Sequence, residues 1–151
     1  MKAVCILGSP RHEGNSETLA NKAISRLKDH GIDTTTYRLH DLNFKGCYGC
    51  MACKTFLDKC VVKDELTKVL EDIRETDILI LTSPVYYWNV SGQVKCLIDR
   101  TFSFLNPDFE SNKNPSRLKP GKKAILIVTQ GDSNESAYSD IQKQLEGFFS
   151  M

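Results

Sequence analysis

Short apolar runs alternate with amphipathic segments along the whole chain, and this alternation restricts the fold more than any other feature. Residues 2–7 are a short apolar run closed by Gly8, the pattern of a strand buried on both faces. Asn15 or Ser16 is placed to cap a helix that carries Leu19, Ala20, Ala23, Ile24 and Leu27 on one face and stops at Gly31. Residues 34–39 read as a second, more polar strand. Asp64 opens a helix with Leu66, Val69, Leu70 and Ile73 inward, and residues 78–81 are the third strand, ending at Ser83-Pro84. Ser91 opens a helix with Val94, Leu97, Ile98 and Phe102 inward. Residues 105–121, rich in Asn, Pro, Ser and Lys, read as a long surface connection. Residues 124–128 are the fourth strand, Gln130-Gly131-Asp132 is a turn, and residues 136–149 form a last amphipathic helix with Ile141, Leu145, Phe148 and Phe149.

This order predicts one α/β domain over residues 1–151, a doubly wound parallel sheet between two helical layers. No linker, repeat or low-complexity tract interrupts it. Such sheets bind ligands beyond the carboxyl ends of their strands, at a topological switch point. The informative loops are therefore those after residues 7, 39, 82 and 129.

Lys plus Arg number 20 against 19 for Asp plus Glu, so no broad field points to nucleic acid or an anionic membrane. The basic residues between 119 and 123 read as a solvated strand edge. No apolar run approaches bilayer length, and the N-terminal run lacks a signal-cleavage pattern; the expectation is a cytoplasmic protein.

Four of the six cysteines, Cys47, Cys50, Cys53 and Cys60, lie in an insertion at 46–60 with spacing C-x2-C-x2-C-x6-C. In a reducing compartment such a cluster points to metal binding or catalysis rather than a disulfide framework. Thiolates are the soft ligands of iron–sulfur clusters and of zinc, and a tight loop also holds them as a dithiol/disulfide couple. The run differs from the bacterial ferredoxin pattern, and zinc sites usually bring two separated pairs. Lys45, Lys54, Lys59 and Lys63 are available to offset the charge of four thiolates.

The loop Gly8-Ser9-Pro10-Arg11-His12-Glu13-Gly14-Asn15-Ser16-Glu17-Thr18 joins the first strand to the first helix. Its hydroxyls, Arg11 and the free N–H groups of a helix start suit a phosphate. It lacks both the nucleoside-triphosphate and the dinucleotide glycine patterns, which favours a phosphomonoester; the alternative is an ordinary capping turn. Cys5 and Arg11 have the C-x5-R spacing of cysteine phosphatases. Cys5 lies inside the apolar run, however, and Pro10 removes one loop N–H, so Cys5 reads as a core residue. Cys96, between Val94 and Leu97, reads the same way. After the third strand, Tyr86, Tyr87 and Trp88 crowd a loop that suits a flat aromatic cofactor or a subunit contact. Gln130 and Gly131 are placed to close that slot from the other side.

Gly8-Ser9-Pro10-Arg11 with Gly14-Asn15-Ser16, the Ser83-Pro84-Val85-Tyr86 loop, and Ser91-Gly92-Gln93-Val94-Lys95 leading to Ile98-Asp99-Arg100 resemble the NADPH-dependent FMN reductase family of flavodoxin-like proteins. The cysteine segment followed by Val61-Val62-Lys63-Asp64-Glu65 resembles its iron–sulfur flavoprotein branch. The resemblance implies a flavodoxin-like sheet of order 2-1-3-4-5 with FMN at the switch between strands one and three. By position, Ser9, Arg11, Asn15, Ser16 and Thr18 would hold the FMN phosphate. Pro84, Val85, Tyr86, Tyr87 and Trp88 would meet the isoalloxazine, with Gln130 and Gly131 on its far edge. Cys47, Cys50, Cys53 and Cys60 would hold a [4Fe–4S] cluster. The resemblance also implies NAD(P)H or a ferredoxin-like donor, a small-molecule acceptor, and a homodimer or homotetramer. A non-enzymatic electron carrier is the rival reading. Relatives continue into a fifth strand after the last helix; with the sequence ending at Met151, the order expected is 2-1-3-4 with the fourth strand at an edge.

Overall fold

The computed structural model describes residues 1–134 and 136–150. Four strands, β1 (Lys2–Leu7), β2 (Asp33–Arg38), β3 (Ile78–Pro84) and β4 (Lys123–Thr129), form one parallel sheet of order β2-β1-β3-β4. Among the described residues five α-helices accompany them: α1 (Asn15–Asp29), the single turn α2 (Ala52–Thr55), α3 (Leu66–Glu75), α4 (Gly92–Thr101) and α5 (Ser139–Phe149). The parallel sheet between helices is what the alternation implied, and the order 2-1-3-4 is what the family resemblance implied.

Because successive strand residues face opposite sides, the sheet builds two cores. Cys5, Leu7 and Ile80 pack with Ala20 under α1, joined by Ala23, Ile24, Leu27 and Ile127. Val4, Ile6 and Leu81 pack on the other face with Val69 and Ile73 of α3, Val94 and Leu97 of α4, and Ile141 and Leu145 of α5. Ile6, Leu66, Val69 and Val94 are fully buried, each contributing about 1.5–3 kcal/mol by removal from water. Leu19, expected on the inner face of α1, is 46% exposed; the helical period aligns Ala20, Ala23, Ile24 and Leu27 and leaves it one step off that stripe.

The boundaries shift where side chains compete with the backbone. Gly14, not Asn15 or Ser16, occupies the N-cap of α1, with no side-chain cap. The last helix starts at Ser139, because Asn134 Oδ1 takes the Ser136 N–H and holds a turn ahead of it. Thr101 and Ser103 donate their hydroxyls to Ile98 and Arg100 carbonyls, so α4 gives way to a 3-10 turn (Phe102–Phe104). That turn buries Phe104 and leaves Phe102 half-exposed. The 105–121 connection folds back on itself, with Asn106 N–H donating to Pro115 O and Arg117 N–H to Phe104 O, each at 2.7 Å. Among the described residues no helix is long and apolar enough to cross a membrane.

Candidate functional site

Three loops meet at the carboxyl edge of the sheet. Gly8 N–H donates to Thr82 O at 3.0 Å, and the buried Ser91 hydroxyl donates to Gly8 O at 2.7 Å. A Cβ on Gly8 would stand 2.3 Å from Val94 Cγ2 and 2.5 Å from Thr82 O, so only glycine allows this approach. The Ser83 hydroxyl accepts from Ser91 N–H at 2.9 Å, and Val85 N–H donates to Thr129 O at 2.8 Å. The loops after β1, β3 and β4 are thereby joined through main chain and buried hydroxyls.

In the first loop Ser9 and Ser16 are buried, whereas Arg11, Asn15 and Thr18 are exposed. Ser9 Oγ accepts from Arg11 N–H at 3.1 Å, curling the loop back on itself. The missing N-cap side chain leaves the first-turn N–H groups of α1 without a local acceptor, and an anion completes such a helix start. The donor chemistry of this helix start fits a phosphomonoester. Two residues that sequence reasoning passed over shape this loop. Arg38 pairs with Glu17 and reaches Arg11 O, while the Glu17 carboxylate accepts from Glu13 N–H at 2.7 Å. The Arg38 hydrogen bond chiefly holds the Glu17 carboxyl below its usual range. Register carried the signal: Arg38 ends β2 directly across from Leu7, where the loop begins.

The loop after β3 is a tight hairpin. Tyr86 and Asn89 exchange backbone hydrogen bonds at 2.8 and 3.1 Å, with Tyr87 (φ 46°) and Trp88 (φ 64°) at the tip. Two successive left-handed residues are what Asn-Gly supplies in such turns; aromatic residues hold them with strain. Their rings meet edge to face at 4.9 Å and are 92% and 67% exposed, while Pro84 and Val85 lie half-buried beneath. Gln130 directs its amide to its own loop, donating to Asp132 O and Asn134 O, and Gly131 is exposed beside it. A cleft of about 940 Å³ lies at the other end of the sheet, lined by Leu79, Leu97, Phe104, Leu118 and Phe149.

The cysteines are arranged differently. Cys47 and Cys50 are exposed and Cys53 and Cys60 half-buried, all as free thiols. Among the described residues no three His, Cys, Asp or Glu side chains converge on a metal position. The thiol chemistry suits a cluster; the geometry is not that of a preassembled one. Cys5 is fully buried, and burial pushes its thiol up to about 12, which removes it as a nucleophile.

The chain matches the NADPH-dependent FMN reductase family over residues 1–149. It belongs to that family. An iron–sulfur flavoprotein of Methanocaldococcus jannaschii is 41% identical over 101 residues, covering 67% of this chain and 52% of that relative. A Bacillus subtilis protein named as a putative NAD(P)H-dependent FMN-containing oxidoreductase is 27% identical, covering 99% of this chain and 77% of its own. The chain spans about half the length of the first iron–sulfur flavoproteins it matches. An FMN-dependent NADH-azoreductase from Bacillus anthracis, solved with FMN, superposes with a TM-score of 0.72 at 14% identity, covering 99% of this chain and 81% of that one. That likeness shows a shared flavodoxin-like fold.

Proposed function

We propose that the chain is an FMN-dependent oxidoreductase that takes electrons from NAD(P)H and delivers them to a small acceptor such as oxygen, a peroxide or a quinone. The observation that carries this reading is the meeting of three loops on one sheet edge around Gly8, at a position no Cβ can occupy. The chemistry supplied by bound FMN is two-electron exchange between the nicotinamide and the acceptor. The protein's part is placement. Ser9, Ser16 and the first turn of α1 would hold the phosphate, with Arg11, Asn15 and Thr18 around it. Pro84 and Val85 would form the floor for the ring system, Tyr86, Tyr87 and Trp88 would wall it off from water, and Gln130 and Gly131 would border its far edge. The exposed aromatic tip also suits a subunit contact, so a homodimer or homotetramer is part of the proposal. The reading treats the chain as one domain working in the cytoplasm.

The cysteine segment adds a second reading, a [4Fe–4S] cluster on Cys47, Cys50, Cys53 and Cys60, fed by a ferredoxin-like donor. Its support is the four-thiol spacing and the similarity to proteins named iron–sulfur flavoproteins. Such a cluster requires the four sulfurs to be drawn together from their present positions. Anaerobic purification followed by a visible spectrum, iron and sulfide assays and NAD(P)H turnover separates the readings. A flavin spectrum with steady turnover of NAD(P)H is the expected result. Flavin without iron discards the cluster alone. Reduction only by a partner protein makes the chain an electron carrier, and colourless protein that gains no thermal stability from added FMN ends the flavin reading.

A further inference from the structure

Helix α4 touches both regions. At its N-terminal end Ser91 bonds Gly8 and Ser83, and Val94 packs against Gly8. At its C-terminal end Arg100, whose side chain is fully buried, gathers the two flanks of the cysteine segment. Its Nη1 donates to both Asp64 carboxylate oxygens, at 2.6 and 2.7 Å, and to Lys45 O at 3.3 Å. Its Nη2 donates to Val62 O at 2.9 Å. Asp64 completes the closure by accepting from Lys45 N–H at 3.0 Å and from Leu66 N–H at 3.1 Å. Both ends of the segment, at Lys45 and at Val62, are thus held through one guanidinium.

The excursion between those points is tied to the same end of the helix. Lys54 Nζ donates to Phe102 O and Leu105 O, each at 2.6 Å, and lies 4.0 Å from the centre of the Phe102 ring. Arg117 Nη1 links Cys53 O and Ser103 O, each at 3.0 Å. Gly46 lies against Cys96 on the middle of α4, where a Cβ would stand 3.4 Å from the sulfur. The segment therefore runs along the outer half of α4. Arg100 lies nine residues beyond Ser91, about 14 Å along the helix axis.

We infer that Arg100 is the positioning residue of the cysteine segment: with Asp64 it fixes both ends of the segment to the C-terminal end of α4, and α4 sets the distance from the thiols to the flavin loops. The flavin half of this statement rests on the function proposed above; the closure of the cysteine segment does not. A buried ion pair is a weak source of net stability, so a purely stabilising role would not need this geometry. A fork that serves two carbonyls and a carboxylate at once is something lysine cannot reproduce.

The test uses the FMN-loaded protein as purified, with the variants Arg100→Lys and Arg100→Gln. Alkylation by iodoacetamide is followed cysteine by cysteine by mass spectrometry, with the fully buried Cys5 as internal reporter of global opening. Arg100→Lys should raise labelling of Cys53 and Cys60 about tenfold while Cys5 stays protected, the mark of local rather than global opening. Its FMN affinity, from flavin fluorescence, should remain within about twofold of the parent. Wild-type labelling rates at Cys53 and Cys60, or labelling of Cys5 in step with them, would overturn the inference. Should both variants fail to fold, hydrogen exchange on the parent protein decides. The Lys45 amide, bonded to Asp64, should exchange about a hundredfold more slowly than the amides of residues 47–51, and equal rates overturn the inference. Failure of the parent to bind FMN would remove the flavin reading and leave the thiol result standing.

Discussion

The loops at the carboxyl edge and the cysteine segment are held by different chemistry. At the edge, backbone groups and buried hydroxyls bond one another: Gly8 to Thr82, Ser91 to Gly8, Val85 to Thr129. The cysteine segment is held by long cationic side chains, Arg100, Lys54 and Arg117, reaching carbonyls and one carboxylate. Contacts of the first kind are cast by the sheet and persist whatever the surface side chains do. Those of the second kind depend on a few groups and, through Asp64, on pH.

The sharpest way to break this contrast is to remove the carboxylate partner. Asp64→Ala leaves the Arg100 charge buried and uncompensated, and urea unfolding should show a loss of about 3–5 kcal/mol. Gly8→Ala strikes the edge: with Val94 and Thr82 in the way, stability should fall by about 1–3 kcal/mol. FMN affinity should fall with it in a fluorescence titration, whereas labelling of Cys47 to Cys60 should not change. Arg11→Ala should lower FMN affinity about tenfold. Because Arg11 is exposed, the melting curve of the flavin-free protein should stay where it was. Unchanged affinity would remove the phosphate assignment.

A smaller effect of opposite sign is expected at the aromatic tip. Replacing Tyr87-Trp88 by Asn-Gly relieves two left-handed aromatic residues, so unfolding should become harder by about 1 kcal/mol. NAD(P)H turnover should fall at the same time if the rings serve the flavin; unaltered turnover would make the strain incidental. The mildest test is acid. Burial alone would raise the Asp64 carboxyl, but hydrogen bonds from Arg100, Lys45 N–H and Leu66 N–H outweigh it and bring it below its ordinary 3.8. A carboxyl depressed by folding stabilises above its unfolded value, and that stability is lost as pH falls through the folded value. Peptic cutting within 46–62 should therefore rise below pH 3.8, ahead of cutting in β1 or β3.

Much of this was legible in the chain. Strand–helix alternation was enough for a parallel sheet between helical layers, the loop motifs that resemble the family supplied its order, and the placement of Cys5 within an apolar run told core from nucleophile. Ser91 caps α4 as read, accepting from Val94 N–H at 3.4 Å. The cap of α1 was misread because Gly14 gives no side-chain signal, and the start of α5 because an Asx turn at Asn134 resembles a helix start. Arg38 escaped notice because its partner Glu17 lies on another element, and only the β1–β2 register brings them together.

The alternation of apolar runs determined the layers and which loops share an edge, because hydrophobic periodicity is local and a parallel sheet has few ways to satisfy it. Tertiary structure alone decided where the cysteines go. The structure hangs them along α4, toward the end away from the flavin loops. That outcome depends on Arg100 meeting residues 38 and 55 positions away, a contact with no local signature. A buried guanidinium takes whichever acceptors the packed fold brings within reach.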